Sequence, residues 1–506
     1  MLFTSIEFLA GFLPIVLAGF FWLGRERSSR WLLPWLVAAS FFFYGWWNTA
    51  DLVVFAWSVA ANYLLYRGIR KHENIGALLL GVGLVGNLSL LGWFKYRTFL
   101  MSDILGVQIF GSQRVLDLPI GISFFTFQQI AWLVDSKRNR EVEASWLEYA
   151  GFVAFFPQLI AGPIVHHREL VPQLKVPQLR RRRPALLAAG LSLFGLGLIK
   201  KLVVADSLAG PASLAFNATD RLGVIAPIAA WTGLLSYAGQ IYFDFSGYSD
   251  MALGLGLMFG IRLPANFLSP YSAANVGDFW RRWHITLSYF LRDYVYIPLG
   301  GSRCSRARHY ANLIGTMAVG GIWHGAGHTF LLWGLLHGVL LVAADAWQKV
   351  GSATRRRFGW WPAIPQPVAV GATLTLVVLA WVPFRATTLS GVGRMYASLL
   401  PAISVASPTV IEGVNNPARP FTPYGMGRKQ LAWAMAVLVG CIVLPSTMQL
   451  FRRPLRGRWH EGDSAAGRVF SWQPSVAWAG ITAVCLAWGV LQSLSVAPTP
   501  FLYFQF

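Results

Sequence analysis

Two neighbouring stretches organise this sequence: DFWRRWHITLSYFLRDYVYIPLGG at residues 278–301 and GGIWHGAGHTFLLWGLLHG at residues 320–338. Both are rich in tryptophan, glycine and aliphatic residues, and both also contain ionisable side chains. An ionisable group away from water is costly, so such residues in strongly apolar sequence usually have a function. We therefore treat these stretches as the centre of a functional site inside an apolar, helical protein.

The composition indicates a polytopic membrane protein. Of 506 residues, 55% are hydrophobic and 12% are charged, whereas soluble proteins contain about 25% charged residues. The chain has no long polar block that could form a separate soluble domain. We therefore expect a single all-α membrane domain, 1–506, with N-terminal spans in 1–110, a central core in 111–350 and C-terminal spans in 351–506.

Charge is unevenly distributed along the chain. The net charge is +21 at pH 7, but lysine and arginine fall in short clusters between apolar runs, as the positive-inside rule predicts for cytoplasmic loops. We therefore expect no nucleic-acid partner and assign most of this charge to membrane topology. A smaller share is available to attract anionic lipid headgroups or an anionic substrate.

Cysteine usage and the N-terminus both agree with this class. Cys304, Cys441 and Cys485 are far apart and lack CxxC spacing, so neither a disulfide framework nor a zinc site is expected. The first apolar run, 6–24, has no basic leader and is followed by RERSSR. We interpret this run as a retained transmembrane helix and not as a cleaved signal peptide.

Apolar runs of transmembrane length alternate with basic loops. A transmembrane helix needs about 20 apolar residues, and we count about 11–13 spans in total. Placing the basic loops 25–30 and 67–72 in the cytoplasm puts the N-terminus outside. The run 118–140 carries Gln128 and other polar residues, so we expect it to pack inside the bundle. The polar segment 385–428 is predicted to be an extracytoplasmic loop.

One apolar segment conflicts with the charge rule. The basic clusters at 137–140 and 180–183 both favour the cytoplasm, yet only one apolar segment, 145–163, lies between them. Two prolines and a glycine interrupt that segment. We therefore predict a re-entrant or buried broken segment, since non-helical backbone at membrane depth is tolerated only inside protein or beside water.

Asp244 and Asp250 lie in the apolar stretch that leads towards the central motifs. A lipid-facing helix would not carry both acids, because a charge in hydrocarbon is costly. We expect both carboxylates to be buried and to pair with arginines of the following segment, 278–301.

His324 is the strongest candidate for a general base. Histidine titrates near neutral pH, and the surrounding glycines leave room for a substrate or another backbone to come close. Trp323 and Trp333 could line a slot beside it. The alternative is that the glycines only permit tight helix packing and that His324 hydrogen-bonds a neighbour.

Two further histidines follow His324. In a continuous helix His328 would share a face with His324, a spacing that can bind metal, but no acidic residue completes an HExxH motif, so no metal site is expected. His337 would point to a different side of the same helix and not lie on that face.

Arg281 and Arg282 belong to the motif WRRWH and could hold the phosphates of a nucleotide-containing donor. The alternative is that these arginines snorkel to the membrane interface or pair with Asp244, Asp250 or Asp293. The sequence contains no GxSxG, Walker A or dinucleotide-binding motif. Serine-nucleophile and nucleotide-hydrolysing enzymes therefore have no support.

The motifs together resemble the membrane-bound O-acyltransferase family, and within it the bacterial branch that acetylates polysaccharides. The resemblance covers nearly the whole chain and rests on MLFTSIEFL (1–9), PIGISFFTFQ (119–128), FPQLIAGPI (156–164), DFSGYSDMALGLGLMFG (244–260), DFWRRWHITLSYFLRDYVYIPLGG (278–301), WHGAGHTFLLWGLLHG (323–338) and PFLYFQF (500–506). It implies a polytopic helical fold whose spans and re-entrant segments surround a central funnel.

The resemblance also implies a site. The two histidines of the family fall on His324, which is regarded as catalytic, and on His284, which lies along the same passage. Further residues expected to bind substrate or donor are Arg281, Arg282, Trp323, Asp244, Asp250 and Gln128. Acetyl-CoA is the implied cytoplasmic donor, with no permanently bound cofactor and no metal. The family often has an aromatic residue at the position of His328, so no role is inherited there.

The implied function is transfer of an acetyl group across the bacterial inner membrane to an extracytoplasmic polysaccharide such as alginate or cellulose. The acetyl group would pass directly or through an extracytoplasmic acetyltransferase or carrier protein. One rival hypothesis is a polysaccharide transporter that uses the histidines as a proton relay. The lack of an internal repeat disfavours it. Another is a non-catalytic scaffold for a modifying complex.

Overall fold

The structure is a computed structural model that describes residues 1–106, 118–138, 143–160, 162–180, 183–360, 364–400, 427–455, 470–495 and 501–502. Within these ranges the chain is predominantly helical, which confirms the all-α prediction. Part of the basic cluster at 137–140, most of the predicted loop at 385–428 and the end of the motif PFLYFQF lie outside the described residues.

The N-terminal helices are α1 (Leu13–Leu23), α2 (Leu32–Gly45), α3 (Thr49–Lys71), α4 (Gly76–Leu91), α5 (Ile122–Arg138), α6 (Trp146–Ala154), α7 (Phe156–Leu159), α8 (His167–Leu174) and α9 (Val176–Leu179). A π-helical turn, Glu7–Phe12, precedes α1, and two more, Gly92–Tyr96 and Phe99–Ile104, follow α4. Glu26–Trp31 forms a 3-10 helix between α1 and α2.

The helices after residue 183 are α10 (Pro184–Ile199), α11 (Asp206–Arg221), α12 (Pro227–Met258), α13 (Val276–Arg282), α14 (Ile285–Leu291), α15 (Arg306–His324), α16 (His328–Phe358), α17 (Gln366–Arg385), α18 (Leu389–Leu399), α19 (Arg428–Val443), α20 (Thr447–Leu450), α21 (Arg452–Leu455) and α22 (Val476–Ser495). π-helical turns at Lys200–Ala205 and Arg292–Tyr296 follow α10 and α14.

Seven helical segments of the described chain are long and apolar enough to cross a membrane: Thr49–Lys71, Gly76–Tyr96, Pro184–Arg221, His328–Phe358, Gln366–Arg385, Arg428–Leu450 and Val476–Ser495. Large apolar side chains are exposed on several of them, including Val53 and Leu64 of α3 and Val443 of α19, each 69% exposed. The protein is therefore a polytopic helical membrane protein. The larger count of about 11–13 spans also includes short or polar helices such as α1 and α12, and it stays a prediction.

α12 packs closely on α10 through glycines. A Cβ at Gly197 of α10 would lie 2.7 Å from the carbonyl oxygen of Gly247, and one at Gly254 would lie 2.7 Å from that of Gly190. Small residues let helix backbones approach this closely inside a membrane. Glycines within the motif DFSGYSDMALGLGLMFG are therefore explained by helix packing.

Two buried ion pairs join the same helices. Asp250 Oδ2 lies 2.6 Å from Lys200 Nζ, and Asp244 Oδ1 lies 2.8 Å from Lys201 Nζ. Both carboxylates are buried, as predicted. The prediction that they pair with arginines of 278–301 is wrong. Since α10 and α12 pack side by side, the two lysines that directly follow α10 face these aspartates.

The segment between the two basic clusters is broken and buried, as predicted. α6 ends at Ala154, Phe155 has a non-helical backbone with φ −49° and ψ 105°, and α7 adds a single turn. At the break, Phe156 N–H donates to Ser40 Oγ at 3.2 Å. A side chain of α2 therefore satisfies a backbone group that lipid could not satisfy.

α15 and α16 form a hairpin with His324 at its turn. α15 ends at His324, Gly325 is extended with φ −161°, and α16 begins at His328. The continuous helix assumed for His324 and His328 is therefore wrong, because the intervening GAG sequence ends the first helix. Further along the hairpin, a Cβ at Gly334 would lie against the carbonyl oxygen of Met317, so glycine permits the close contact of the two helices.

Candidate active site

His284 lies between α13 and α14 in a strained backbone conformation. Its φ of 41° and ψ of 54° are left-handed values that residues other than glycine rarely adopt. The side chain is 0% exposed, and its ring meets the ring of Phe245 edge-on at 4.7 Å between centroids. Strain of this kind persists where the surroundings enforce it, and it is concentrated at functional sites.

Asn266 orients the imidazole of His284. Its Oδ1 accepts hydrogen bonds from the backbone N–H and the hydroxyl of Thr286, at 3.3 and 3.0 Å, and lies 3.1 Å from His284 Nδ1. A backbone N–H can only donate, so this amide atom is the acceptor and His284 Nδ1 carries the proton. Nε2 of His284 then holds the lone pair that a general base requires.

Sequence reasoning missed Asn266. Asn266 precedes His284 by 18 positions, and helix and strand periodicities relate only close neighbours in the chain. The available signal was an asparagine inside the apolar run LPANFL, 263–268, of the connection between α12 and α13. Such a residue needs a hydrogen-bond partner when it is buried.

His324 is enclosed by aromatic rings at the end of α15. The residue is 4% exposed, and the ring centroids of Trp323, Trp333 and Phe384 lie 4.9, 5.0 and 5.0 Å from that of the imidazole. Trp333 and the imidazole are perpendicular. We call these three rings the aromatic cage. It contains both tryptophans that were expected to line a slot beside His324.

Trp323 connects the two candidate catalytic histidines. Its indole lies 4.9 Å from the ring of His324 and 6.0 Å from the ring of His284, and it stacks on Phe127 of α5 at 5.3 Å. The structure therefore brings both histidines to one buried site. Gln128, the next residue of α5, is also buried, and its Oε1 has no hydrogen bond among the described residues.

The other two histidines of the hairpin differ in burial. His337 is buried, and its Nδ1 accepts a hydrogen bond from Trp280 Nε1–H at 3.2 Å, since an indole nitrogen can only donate. The ring of His337 also contacts Trp333 at 4.9 Å. His328 is exposed and contacts Phe99. His337 therefore packs against Trp333 of the aromatic cage, whereas His328 lies outside the cage.

A polar cavity of about 780 Å³ adjoins the histidine site. Its lining includes Thr286, whose N–H and hydroxyl bind the same Asn266 oxygen that orients His284. Thr286 therefore links the cavity to His284 through a shared acceptor. The charged side chains of the lining are Arg168, Arg262, Arg292, Glu169 and Asp293.

Arg281 and Arg282 are not among the described residues that line this cavity. Arg282 Nε lies 3.0 Å from Asp278 Oδ1, one turn away on α13, and Arg281 is exposed. Arg282 therefore pairs with an aspartate of its own helix and not with Asp244, Asp250 or Asp293, the partners named in the alternative. A donor-binding role for Arg281 and Arg282 stays a prediction.

Asp244 holds the end of the described chain beside His284. Its Oδ2 accepts a hydrogen bond from Leu502 N–H at 2.9 Å. The neighbouring ring of Phe501 lies 5.5 Å from that of Phe245, which in turn contacts His284. The buried carboxylate thus organises the wall of the histidine site. Its predicted binding of substrate or donor, like that of Asp250, stays a prediction.

One further group of side chains has the composition of a metal site. Ligand atoms of Asp135, His166 and His167 all lie within 4.8 Å of one another. Burial and the adjacent His166 lower the pKa of His167 to about 3, so this imidazole is neutral. However, Arg168 N–H donates to His166 Nδ1, which leaves Nε2–H to donate to Asp135 at 2.6 Å. These contacts describe a hydrogen-bonded cluster, and we assign no metal to it.

The site has the parts that acyl transfer needs. Two buried imidazoles can accept and donate protons, and hydrogen bonding leaves Nε2 of His284 basic. Aromatic walls around His324 limit the access of water, which would hydrolyse an activated acyl group. The polar cavity beside Thr286 offers space for a polar reactant.

Comparison with known proteins identifies the family. The model of MBOAT, the membrane-bound O-acyltransferase family, matches residues 42–370. The chain is 42% identical over 420 residues to the peptidoglycan O-acetyltransferase of Helicobacter pylori, and the aligned region covers 77% of this chain and 78% of that protein. It is 41% identical over 414 residues to a probable alginate O-acetylase, AlgI, of Pseudomonas aeruginosa, with 79% and 75% covered.

A more distant relative has a different acyl group in its name. The chain is 26% identical over 254 residues to the teichoic acid D-alanyltransferase of Bacillus subtilis, with 48% of this chain and 62% of that protein covered. The family match includes both His284 and His324. This chain belongs to the membrane-bound O-acyltransferase family and is a multi-pass membrane O-acyltransferase.

Proposed function

We propose that this protein transfers an acetyl group from a cytoplasmic donor to a hydroxyl group of an extracytoplasmic polysaccharide such as alginate or cellulose. The observation that carries the proposal is the contact of His284 and His324 with the same buried indole, that of Trp323. Relatives described as a peptidoglycan O-acetyltransferase and a probable alginate O-acetylase support acetyl as the acyl group and a polysaccharide as the acceptor.

In the proposed mechanism, His324 acts as the general base. It takes the proton from the acceptor hydroxyl while the oxygen attacks the thioester carbonyl and forms the new C–O bond. The C–S bond then breaks, and the proton passes to the departing thiolate. His284 helps to carry this proton from the acceptor hydroxyl to the thiolate, with its basic nitrogen Nε2 binding the proton on the way. General acid–base catalysis of this kind contributes about 10²–10⁴-fold to a rate.

The donor that we propose is acetyl-CoA, and we propose that it binds in the polar cavity. Arginines of the lining match phosphate groups, although the two acids there offset part of the positive charge. Tyr294, another lining residue, donates to Asp135 near the end of α5, and α5 ends in Lys137 and Arg138. The positive-inside rule assigns such basic helix ends to the cytoplasm, where acetyl-CoA is available.

The opposite side of the membrane would hold the acceptor. The proposal therefore places the protein in the bacterial inner membrane, where cytoplasmic thioester and extracytoplasmic polymer are separated by one bilayer. The acetyl group reaches the polymer directly or through an extracytoplasmic acetyltransferase or carrier protein. The polysaccharide O-acetylation named for the relatives supports this arrangement.

The proposal is tested by substituting His324. Cells lacking the endogenous protein are complemented with wild type, His324→Ala or His328→Ala, and acetyl ester on the polymer is measured. Because His328 is exposed and lies outside the aromatic cage, it is the matched control. We expect acetylation to be lost with His324→Ala and retained with His328→Ala at equal protein levels in the membrane. Retained acetylation with His324→Ala would assign the chemistry to a partner and leave this protein as a scaffold or conduit.

A further inference from the structure

We propose that Lys95 is a positioning residue for His324, an inference that rests on the proposed function of that histidine. Lys95 lies at the end of the span Gly76–Tyr96. Its Nζ donates to the backbone carbonyl oxygens of Trp323 at 2.7 Å and of His324 at 3.0 Å. One ammonium group from a distant span therefore binds the two residues that form the centre of the site.

The carbonyl groups that Lys95 binds belong to the end of a helix. The last four carbonyls of an α-helix have no partner within the helix, and together they carry a partial negative charge. α15 ends at His324, and Gly325 is extended, so the helix does not continue. A cation at this end satisfies the carbonyls and also offsets the helix dipole.

Two consecutive side chains satisfy three consecutive carbonyls at this end. Tyr96 donates from its hydroxyl to the carbonyl oxygen of Ile322 at 2.8 Å, and Lys95 satisfies the next two. Both side chains belong to the π-helical turn Gly92–Tyr96. Turns of this type are frequent at functional sites because the extra residue changes which side chains face inwards.

Lys95 also lies over the indole that connects the histidines. Its Nζ is 5.9 Å from the centroid of the Trp323 ring, within the range of a cation–π contact. Lys95 therefore restrains both the backbone of His324 and the side chain of Trp323. The neutral Tyr96 already binds a carbonyl of this helix end, so anchoring the helix does not by itself require a charged side chain. A role in positioning His324 and Trp323 accounts for the amino group of Lys95.

The test separates the charge of Lys95 from simple anchoring of the helix end. In complemented cells, Lys95→Met is expected to lower the rate of polymer acetylation about tenfold or more, because misplacing a catalytic group by about 1 Å can cost about 10²-fold. Lys95→Arg keeps a cation, and its acetylation rate is expected to be at least about threefold higher than that of Lys95→Met. Tyr96→Phe removes a neutral donor from the same helix end and is the matched control, with a loss below about threefold.

Membrane levels and thermal unfolding of the purified variants show whether each one folds. Lys95→Gln keeps a hydrogen-bond donor without the charge, and it serves if Lys95→Met does not fold. Equal losses of acetylation rate for Lys95→Met, Lys95→Arg and Tyr96→Phe would mean that Lys95 only anchors the helix end. Wild-type activity of Lys95→Met or Lys95→Gln would also overturn the inference. His324→Ala is measured in parallel. If it is inactive while Lys95→Met is active, only the inference about Lys95 fails, whereas an active His324→Ala overturns the proposed function.

Discussion

Asn266 Oδ1 lies 3.1 Å from His284 Nδ1, and this contact sets which nitrogen of a buried imidazole carries the proton. The amide cannot be turned round without loss, because Thr286 N–H donates to the same oxygen. With Nδ1 protonated, Nε2 is left as the basic nitrogen. The left-handed backbone of His284 is held in the same place, since Ile285 N–H donates to the Asn266 carbonyl oxygen at 3.1 Å.

Replacing Asn266 with leucine is expected to lower polymer acetylation about 10²-fold, because the imidazole loses the acceptor that holds its tautomer and orientation. Asn266→Asp preserves an acceptor oxygen for the three donors from His284 and Thr286, and it is expected to retain about a tenth or more of the wild-type rate. Acetyl ester per unit of membrane protein is the measurement. Equal acetylation rates for the leucine and aspartate variants would contradict the idea that Asn266 acts by fixing the tautomer of His284.

The donor cavity gives a prediction about substrate affinity. Arg292→Gln is expected to raise the KM for acetyl-CoA about tenfold and to leave kcat nearly unchanged, as for loss of one charge-assisted hydrogen bond. Asp293, which pairs with Arg292 and also lines the cavity, would then repel phosphate. The measurement is transfer from labelled acetyl-CoA in membrane vesicles.

Arg306→Gln is the matched control for this experiment, because Arg306 is an exposed arginine that does not belong to the described cavity lining. Its KM for acetyl-CoA is expected to equal that of the wild type. Arg281→Gln is measured in parallel: a raised KM for this variant together with an unchanged KM for Arg292→Gln would place the donor at α13.

The hairpin that presents His324 depends on glycine at position 334. A Cβ at Gly334 would overlap the backbone of α15, so Gly334→Ala is expected to lower the free energy of unfolding by about 1–3 kcal/mol and to reduce acetylation. Gly315→Ala on α15 is the control, because a Cβ there meets no atom within 4 Å. Thermal unfolding in detergent compares the two. Similar melting temperatures for both variants would show that the contact is not tight.

The buried pair of Lys201 and Asp244 gives a prediction about stability. Both side chains are 3% exposed, and Lys201 also pairs with Asp206 at 2.7 Å. Lys201→Met therefore leaves the buried carboxylate of Asp244 without its main partner and is expected to cost about 3–5 kcal/mol of unfolding free energy. Adding Asp244→Asn removes that charge and is expected to recover part of the loss. A double-mutant cycle by chemical unfolding measures the coupling. Purely additive effects would mean that the two groups do not stabilise each other.

The class of fold and part of the candidate site were predictable from local sequence. Apolar runs of membrane length and basic loops predicted a polytopic helical protein, and seven described segments meet that description. The conflict between two basic clusters predicted a broken segment, which the structure shows at Phe155. His324 was predicted as an ionisable residue in an apolar motif and His284 through the family resemblance, and the structure places both against one indole.

The partners of the buried charges were not predictable in the same way. Asp244 and Asp250 were expected to meet arginines, but they meet Lys201 and Lys200. Neither Asn266 nor Lys95 was noticed, although each binds a residue of the histidine site. In every case the two partners are separated by many residues or lie on different helices. Local periodicity does not specify which side chains of two helices will meet.

From the sequence alone it follows that this protein is a helical membrane protein with rare ionisable residues inside apolar motifs, because the bilayer imposes length, hydrophobicity and charge rules on each segment separately. The packing of the helices in three dimensions fixes which group orients His284, which side chains cap the helix of His324 and which lysines neutralise the buried acids. The lysine–aspartate pairs, for example, form where glycines allow α10 to pack closely on α12. Such packing depends on the whole bundle and not on any one segment.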